Sequence, residues 1–200
     1  MPDPNPDKSD ISDYLENSDV LDYDHPLVAQ TAEHLTYGLK DNLSKARAIY
    51  KFTRDHIFDS FQINATSVTI TASEVLDKGH GICFAKAHLL VALMRASGIP
   101  AGFCYQTRYD DDLERLIIHG FSGVHIQELD KWVRIDACMQ VDANDWGFDP
   151  FKESTIRSVK EEIGEYDDFI VYHTPSKKLL KALSLADTLE ELMNLIPSEI

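Results

Sequence analysis

The hydrophobic period changes several times along this chain, and each change marks an element. After a proline-broken, acidic start, His25-Pro26 opens a helical stretch in which Leu27, Thr31, Leu35 and Leu39 recur at helical spacing, with Gly38 near the stop. Asn42 or Ser44 is placed to cap a second helix whose stripe is Ala46, Ile49, Tyr50, Thr53 and Ile57. Residues 62–71 lack such a stripe and read as an extended crossing segment. A short helix over 72–78 follows, with Glu74 suitably placed in its first turn. Residues 84–97 are apolar nearly all round, which predicts a buried central helix stopped by Gly98, with Pro100 preventing resumption.

Strands are expected next at 101–109, 117–128 and 131–137, with 110–115 a solvated loop and Leu129-Asp130 a two-residue hairpin connection. Residues 140–165 look irregular, with room for a short helix. A further strand is read at 169–173 and helices at 176–185 and 188–195, the last opening on the capping box Thr188-Leu189-Glu190-Glu191. No internal repeat is visible. Helices, then strands, then a tail indicate one α+β domain: 1–24 a loose arm, 25–139 the core, and 140–200 a C-terminal extension that could shape or cover a cleft.

Composition narrows the function. With 200 residues, 44% of them apolar and 26% charged, the chain is an ordinary globular one. Asp and Glu number 34 against 19 Lys and Arg, a net charge of −15. That excludes a phosphate-tracking nucleic-acid surface and docking on an anionic membrane, and leaves neutral or cationic substrates open. There is no long apolar run, and Met1-Pro2-Asp3-Pro4 does not open a secretory signal, so a reducing cytoplasm is expected. Three cysteines, at 83, 104 and 138, form no disulfide framework and lack the close pairs of a zinc site, so neither metal nor cofactor is predicted.

Candidate chemistry centres on Cys83, which follows Gly79-His80-Gly81-Ile82 at the start of the apolar helix. A helix N-terminus carries partial positive charge and unpaired N–H groups, which favour thiolate and can steady an oxyanion. The alternative is a merely buried helix-start cysteine, against which the two glycines argue by letting substrate approach the sulfur. His119 and Asp136 stand on strands joined by the hairpin and can meet as base and orienting carboxylate. His125 shares strand parity with His119 and is the alternate base. His80 reads as an exposed residue of the cleft, His88 and Cys104 as core, and Cys138 as a neighbour of the site. Trp132 and Trp146 suit core or cleft wall equally, and the acidic runs 110–114 and 165–168 read as solvated loops.

Three motifs in this order resemble the transglutaminase-like, or papain-like, cysteine enzymes. They are Gly79-His80-Gly81-Ile82-Cys83 running to Gly98-Ile99-Pro100-Ala101, the strand opening at His119, and the closing Trp132-Val133-Arg134-Ile135-Asp136. Ala72-Ser73-Glu74-Val75-Leu76 is similar to the family's lead-in, and the resemblance spans about residues 44–137. It implies a central helix on an antiparallel sheet, with Cys83 as nucleophile, His119 as base and Asp136 fixing the imidazole tautomer. The reaction implied is hydrolysis of a peptide or protein amide through a thioester. Transfer of the acyl group to an amine, or a non-enzymatic binding module, are the alternatives. The Cys83 N–H would be one oxyanion donor, and Gln106 is the guess for a second. Phe121 stands where the family has Trp, Gly123 where it has an acidic residue, and Cys138 where Thr is common.

Overall fold

A helix apolar on every face has to be buried on every face. In the computed structural model, which describes residues 3–138, 148–153 and 156–200, the helix Cys83–Ala96 buries each residue from Phe84 to Arg95. In chain order the elements are β1 (Asn5–Pro6), α1 (Pro26–Thr36), α2 (Asn42–His56), β2 (Phe58–Asp59), α3 (Ala72–Lys78), β3 (His80–Gly81) and α4 (Cys83–Ala96). Then follow β4 (Ala101–Asp110), β5 (Arg115–Ile126), β6 (Lys131–Ile135), β7 (Tyr166–Asp167), β8 (Ile170–Val171), α5 (Lys177–Leu185) and α6 (Leu189–Leu195). Strands β6, β5, β4 and β7 form an antiparallel sheet in that order. Helix α4 lies against β5 and β4, and α1, α2 and α3 pack on it as well. The fold is α+β.

Local signals explain most boundaries. The α2 stripe from Ala46 to Thr53 is buried, and Ile57 with it. Helix α3 begins on a reciprocal Thr71–Glu74 capping box, and α6 on the Thr188–Glu191 box. Gly98 stops α4 with φ +75°, a left-handed conformation that a side chain rarely adopts.

Several expectations are corrected. Helix α1 buries Val28 and Ala32, while Leu27 and Leu39 stay 36% exposed. Steps of four residues overrun the helical repeat, so Leu27 and Leu35 differ by about 80° around the axis. Asp41, one residue before the expected cap, accepts from Ser44 N–H (2.8 Å) and starts α2. The β5–β6 connection is longer than two residues: the pair Ile126↔Lys131 is closed by a 3₁₀ turn over Gln127–Leu129 and by Asp130 at φ +46°. Residues 62–71 form no ladder, only the isolated bridge of Ser67 with Thr188. The strand expected at 169–173 is cut to β8, which pairs in parallel with β1.

The arm over residues 3–24 is not loose. Asn5 N–H donates to Phe169 C=O (2.8 Å), His173 N–H donates to Asp7 (2.9 Å), and Tyr14 is fully buried beside the Val171 carbonyl. Nor is the run 165–168 a solvated loop, since Glu165 and Asp167 are 4% and 8% exposed. Their partners are basic groups outside the run: Arg134, itself 1% exposed and 33 residues away, pairs with Asp167 and also with Glu153, and Arg157 pairs with Glu165. The short helix expected within 140–165 is, in its described part, the 3₁₀ turn Glu161–Ile163; Trp146 lies outside the described residues.

Candidate active site

The site begins where α4 begins. Cys83 is the first residue of that helix and is half-buried. Its N-cap, Ile82, makes no side-chain cap, whereas α1, α2, α3, α5 and α6 start on His25, Asp41, Thr71, Ser176 and Thr188, each capping a backbone N–H. The partial positive charge and the orphan donors of α4 therefore stay uncovered by a side chain. The turn before it is held by the parallel β2–β3 pair, in register Phe58↔His80. That pairing turns His80 inward, where it is 7% exposed with Nδ1 2.9 Å from Ser60 Oγ, so it is not the exposed cleft residue expected. A Cβ at Gly81 would stand 3.1 Å from the Ala85 Cβ and 3.3 Å from Thr69 Oγ1, so the backbone fits closely against α4.

Strand register supplies the rest. His119 on β5 faces Gln106 on β4, and Ser122 faces Ile135, the last residue of β6. Asp136 comes next, with its Oδ2 2.7 Å from His119 Nε2. Its other oxygen accepts the Cys138 N–H (2.8 Å), and the residue is 1% exposed. Burial disfavours charge on His119, but Asp136 and the Cys83 side chain, both acting on the ring through charge and hydrogen bonding, outweigh it and raise its pKa to about 9. Burial alone would raise Asp136; His119, the Cys138 N–H and Arg108 hold it below the usual carboxylate range. With Nε2 committed to the carboxylate, Nδ1 is the ring nitrogen left for the sulfur.

Cys83, His119 and Asp136 are thus brought together, and the other candidates are not. His125 lies about 20 Å along the strand from His119, with Nε2 3.4 Å from Asp130 and its ring against Trp132. Gln106 donates to Asp167 Oδ2 (2.8 Å) and Arg157 C=O (3.2 Å), so its amide is occupied and does not serve as an oxyanion donor. Cys138 lines a small space with Cys83, Lys86 and Asp136, and burial pushes its thiol up. His88 is a core residue: burial lowers its pKa to about 4, and Nδ1 pairs with Ile70 C=O (2.7 Å). Cys104 is fully buried, and Trp132 stands edge-on to Tyr14. Among the described residues, no group of three His, Cys, Asp or Glu could hold a metal ion.

Two neighbours escaped the reading of the sequence. Lys86, one turn along α4 from Cys83, is 3% exposed and donates to Ile57 C=O (2.8 Å). A lysine inside an otherwise apolar helix was its signal. Arg108 Nη2 lies 3.9 Å from Asp136 Oδ2. Its signal lies in the pairing of Arg108 with Ile117, which puts it on the same sheet face as His119.

Residues 29–137 match the family described as the transglutaminase-like superfamily. The chain belongs to that superfamily. No curated protein matches it. Among solved structures, this transglutaminase-like protein is similar to a candidate cysteine protease from Cytophaga hutchinsonii: 22% identity, TM-score 0.54, covering 65% of this chain and 42% of that one. It is also similar to the periplasmic domain of TgpA from Pseudomonas aeruginosa: 18% identity, TM-score 0.46, covering 62% and 45%. It spans less than half of either neighbour. Among the described residues, no helix of the transglutaminase-like protein is long and apolar enough to cross a membrane. Two of its departures from the family pattern have physical settings. Phe121 is 2% exposed and lies 5.6 Å beneath the Arg134 guanidinium. At Gly123 a Cβ would come within 2.7 Å of Val171 Cγ1, so no acidic side chain fits there.

Proposed function

We propose that this protein is a cysteine-dependent amidase or peptidase, with Cys83 as nucleophile, His119 as general base and acid, and Asp136 as the group that orients the imidazole. The observation that carries this reading is a half-buried imidazole bound through Nε2 to a carboxylate (2.7 Å), with Cys83 at the uncapped start of α4 near enough to act on the same ring. The thiol proton passes to His119 Nδ1, and the resulting thiolate, paired with the imidazolium, attacks an amide carbonyl. The tetrahedral oxyanion takes a hydrogen bond from the Cys83 N–H at the uncapped start of α4. Collapse breaks the C–N bond, His119 protonates the departing amine, and a thioester remains. Water, deprotonated by His119, hydrolyses it and restores the thiol. Asp136 keeps its charge and stabilises the imidazolium. The description of the Cytophaga neighbour as a candidate cysteine protease agrees with this chemistry.

The test is labelling by an electrophilic peptide amide analogue, followed by mapping of the modified residue. The adduct is expected on Cys83 and is lost in Cys83→Ala. An adduct on Cys104 or Cys138 with Cys83 untouched refutes the assignment. A primary amine added with the substrate reads the acceptor: its covalent incorporation in place of hydrolysis would make amine transfer the reaction.

A further inference from the structure

Beside His119 the surface folds into a cleft of about 390 Å³, within the range of about 300–1,000 Å³ typical of small-molecule sites. Ile117 and Ile163 give it apolar walls, and Arg108, Arg157 and Lys160 bring positive charge to it. Its acidic members are already engaged or lie at the rim. Glu165 accepts from Arg157 Nη2 (2.6 Å) and from the N–H groups of Tyr109 (3.0 Å) and Lys160 (2.7 Å). Although burial opposes its ionisation, those partners pull its pKa down to about 2. Asp110 accepts the N–H groups of Asp112 and Leu113 within the β4–β5 turn, and Asp111 is exposed at the hairpin tip.

Arg108 is the group left with capacity. Its side chain is 12% exposed, and its Nε donates to Gln106 Oε1 (2.8 Å). Its Nη2 is buried with no hydrogen-bond partner, and the nearest carboxylate oxygen, 3.9 Å away, is already bound to His119. A buried cationic donor left unsatisfied costs stability, and native structures keep few of them. With Nε fixed on Gln106 and Nη2 turned inward toward Asp136, Nη1 is the end of the guanidinium that reaches the cleft without a hydrogen bond, and it has the charge to receive a carboxylate.

We propose that this cleft is the subsite for a carboxylate of the substrate, with Arg108 as the specificity-determining residue and Lys160 at its mouth. This rests on the reading of Cys83 as nucleophile, and it places the cleaved amide next to an acidic side chain or to a carboxyl-terminal residue. The overall charge of −15 repels anions at long range. That repulsion fades over about 8 Å at physiological salt, so acceptance depends on direct contact with Arg108.

The experiment uses the Cys83→Ala protein, which cannot react, and follows the His119 ring signals by NMR. Three blocked probes of equal size are titrated: acetyl-glutamic acid amide, acetyl-glutamine and acetyl-glutaminamide. They carry a side-chain carboxylate, a terminal carboxylate and neither. At least one carboxylate probe is expected to bind about tenfold more tightly than the neutral one, the scale of a charge-assisted hydrogen bond. The tighter probe tells whether side chain or chain end is read. Arg108→Gln is expected to erase the advantage and the exposed Lys160→Glu to reduce it; if Arg108→Gln does not fold, Lys160→Glu decides. Equal binding of all three probes, no saturable shift, or an advantage that survives substitution overturns the proposal. Because no probe is cleaved, this outcome is independent of the labelling test on Cys83.

Discussion

The His119–Asp136 contact is where the proposed activity is most sensitive. Asp136→Asn keeps the shape but removes the charge that holds the imidazole in its tautomer, and is expected to slow acylation by about 10³–10⁴-fold. Stopped-flow measurement with the electrophilic probe reads this directly, and a loss below tenfold would deny Asp136 its orienting part. The pKa of His119 is raised from its ordinary value to about 9, so the folded state holds this proton more tightly than the unfolded state. Its contribution to stability is complete below about pH 6.5 and is lost as pH rises toward 9. His88 has the opposite sign. Its pKa is lowered by burial to about 4, so the unfolded state takes up the proton first and stability declines as pH falls from about 6.5 toward 4. The loss is about 3 kcal/mol if His88 stays neutral throughout. Urea midpoints against pH should show both flanks, and His119→Gln should flatten the alkaline one alone.

At the scale of elements, Gly123 and Arg134 carry the sharpest expectations. Gly123→Ala drives a methyl into Val171, which is fully buried, and should cost about 1–3 kcal/mol by thermal unfolding. Arg134→Met removes the partner of both Asp167 and Glu153 and should cost about 3–5 kcal/mol, partly recovered when Asp167→Asn is added. What the sequence discloses divides along the same line. Helix α4 and the capped start of α6 were legible because their causes are local: an unbroken apolar circumference, a left-handed glycine, a Thr–Glu pair three residues apart. The position of Cys83 at the start of α4 was legible for the same reason, and the meeting of His119 with Asp136 because they stand on strands joined by one short connection. The four-residue loop before β6 was not, since Asp130 is a non-glycine residue that closes the turn in the left-handed region. The buried charges were not legible either, because Arg134 finds its carboxylates in segments that composition marks as solvated.

Over the whole molecule, 34 acidic against 19 basic side chains crowd one small surface, and their mutual repulsion opposes folding. Raising added salt from about 20 to about 200 mM should therefore raise Tm by several degrees; an unchanged or lowered midpoint would show that local pairs, not net charge, set the electrostatic balance. Asp7→Ala should lower Tm as well, since Asp7 holds Tyr14 and His173 against the strand that closes on β1. The last consequence concerns Gln106. Its amide nitrogen gives a proton to Asp167 while its oxygen receives one from Arg108, so the carboxylate clamped by Arg134 decides which way the amide points. Glutamate there would set two anions face to face, leucine would release both neighbours, and even a flip of the amide would present NH₂ to a cation. Position 106 is therefore expected to favour glutamine, and a lesion there should travel outward in both directions, loosening the tail on one side and letting the cleft's guanidinium swing on the other.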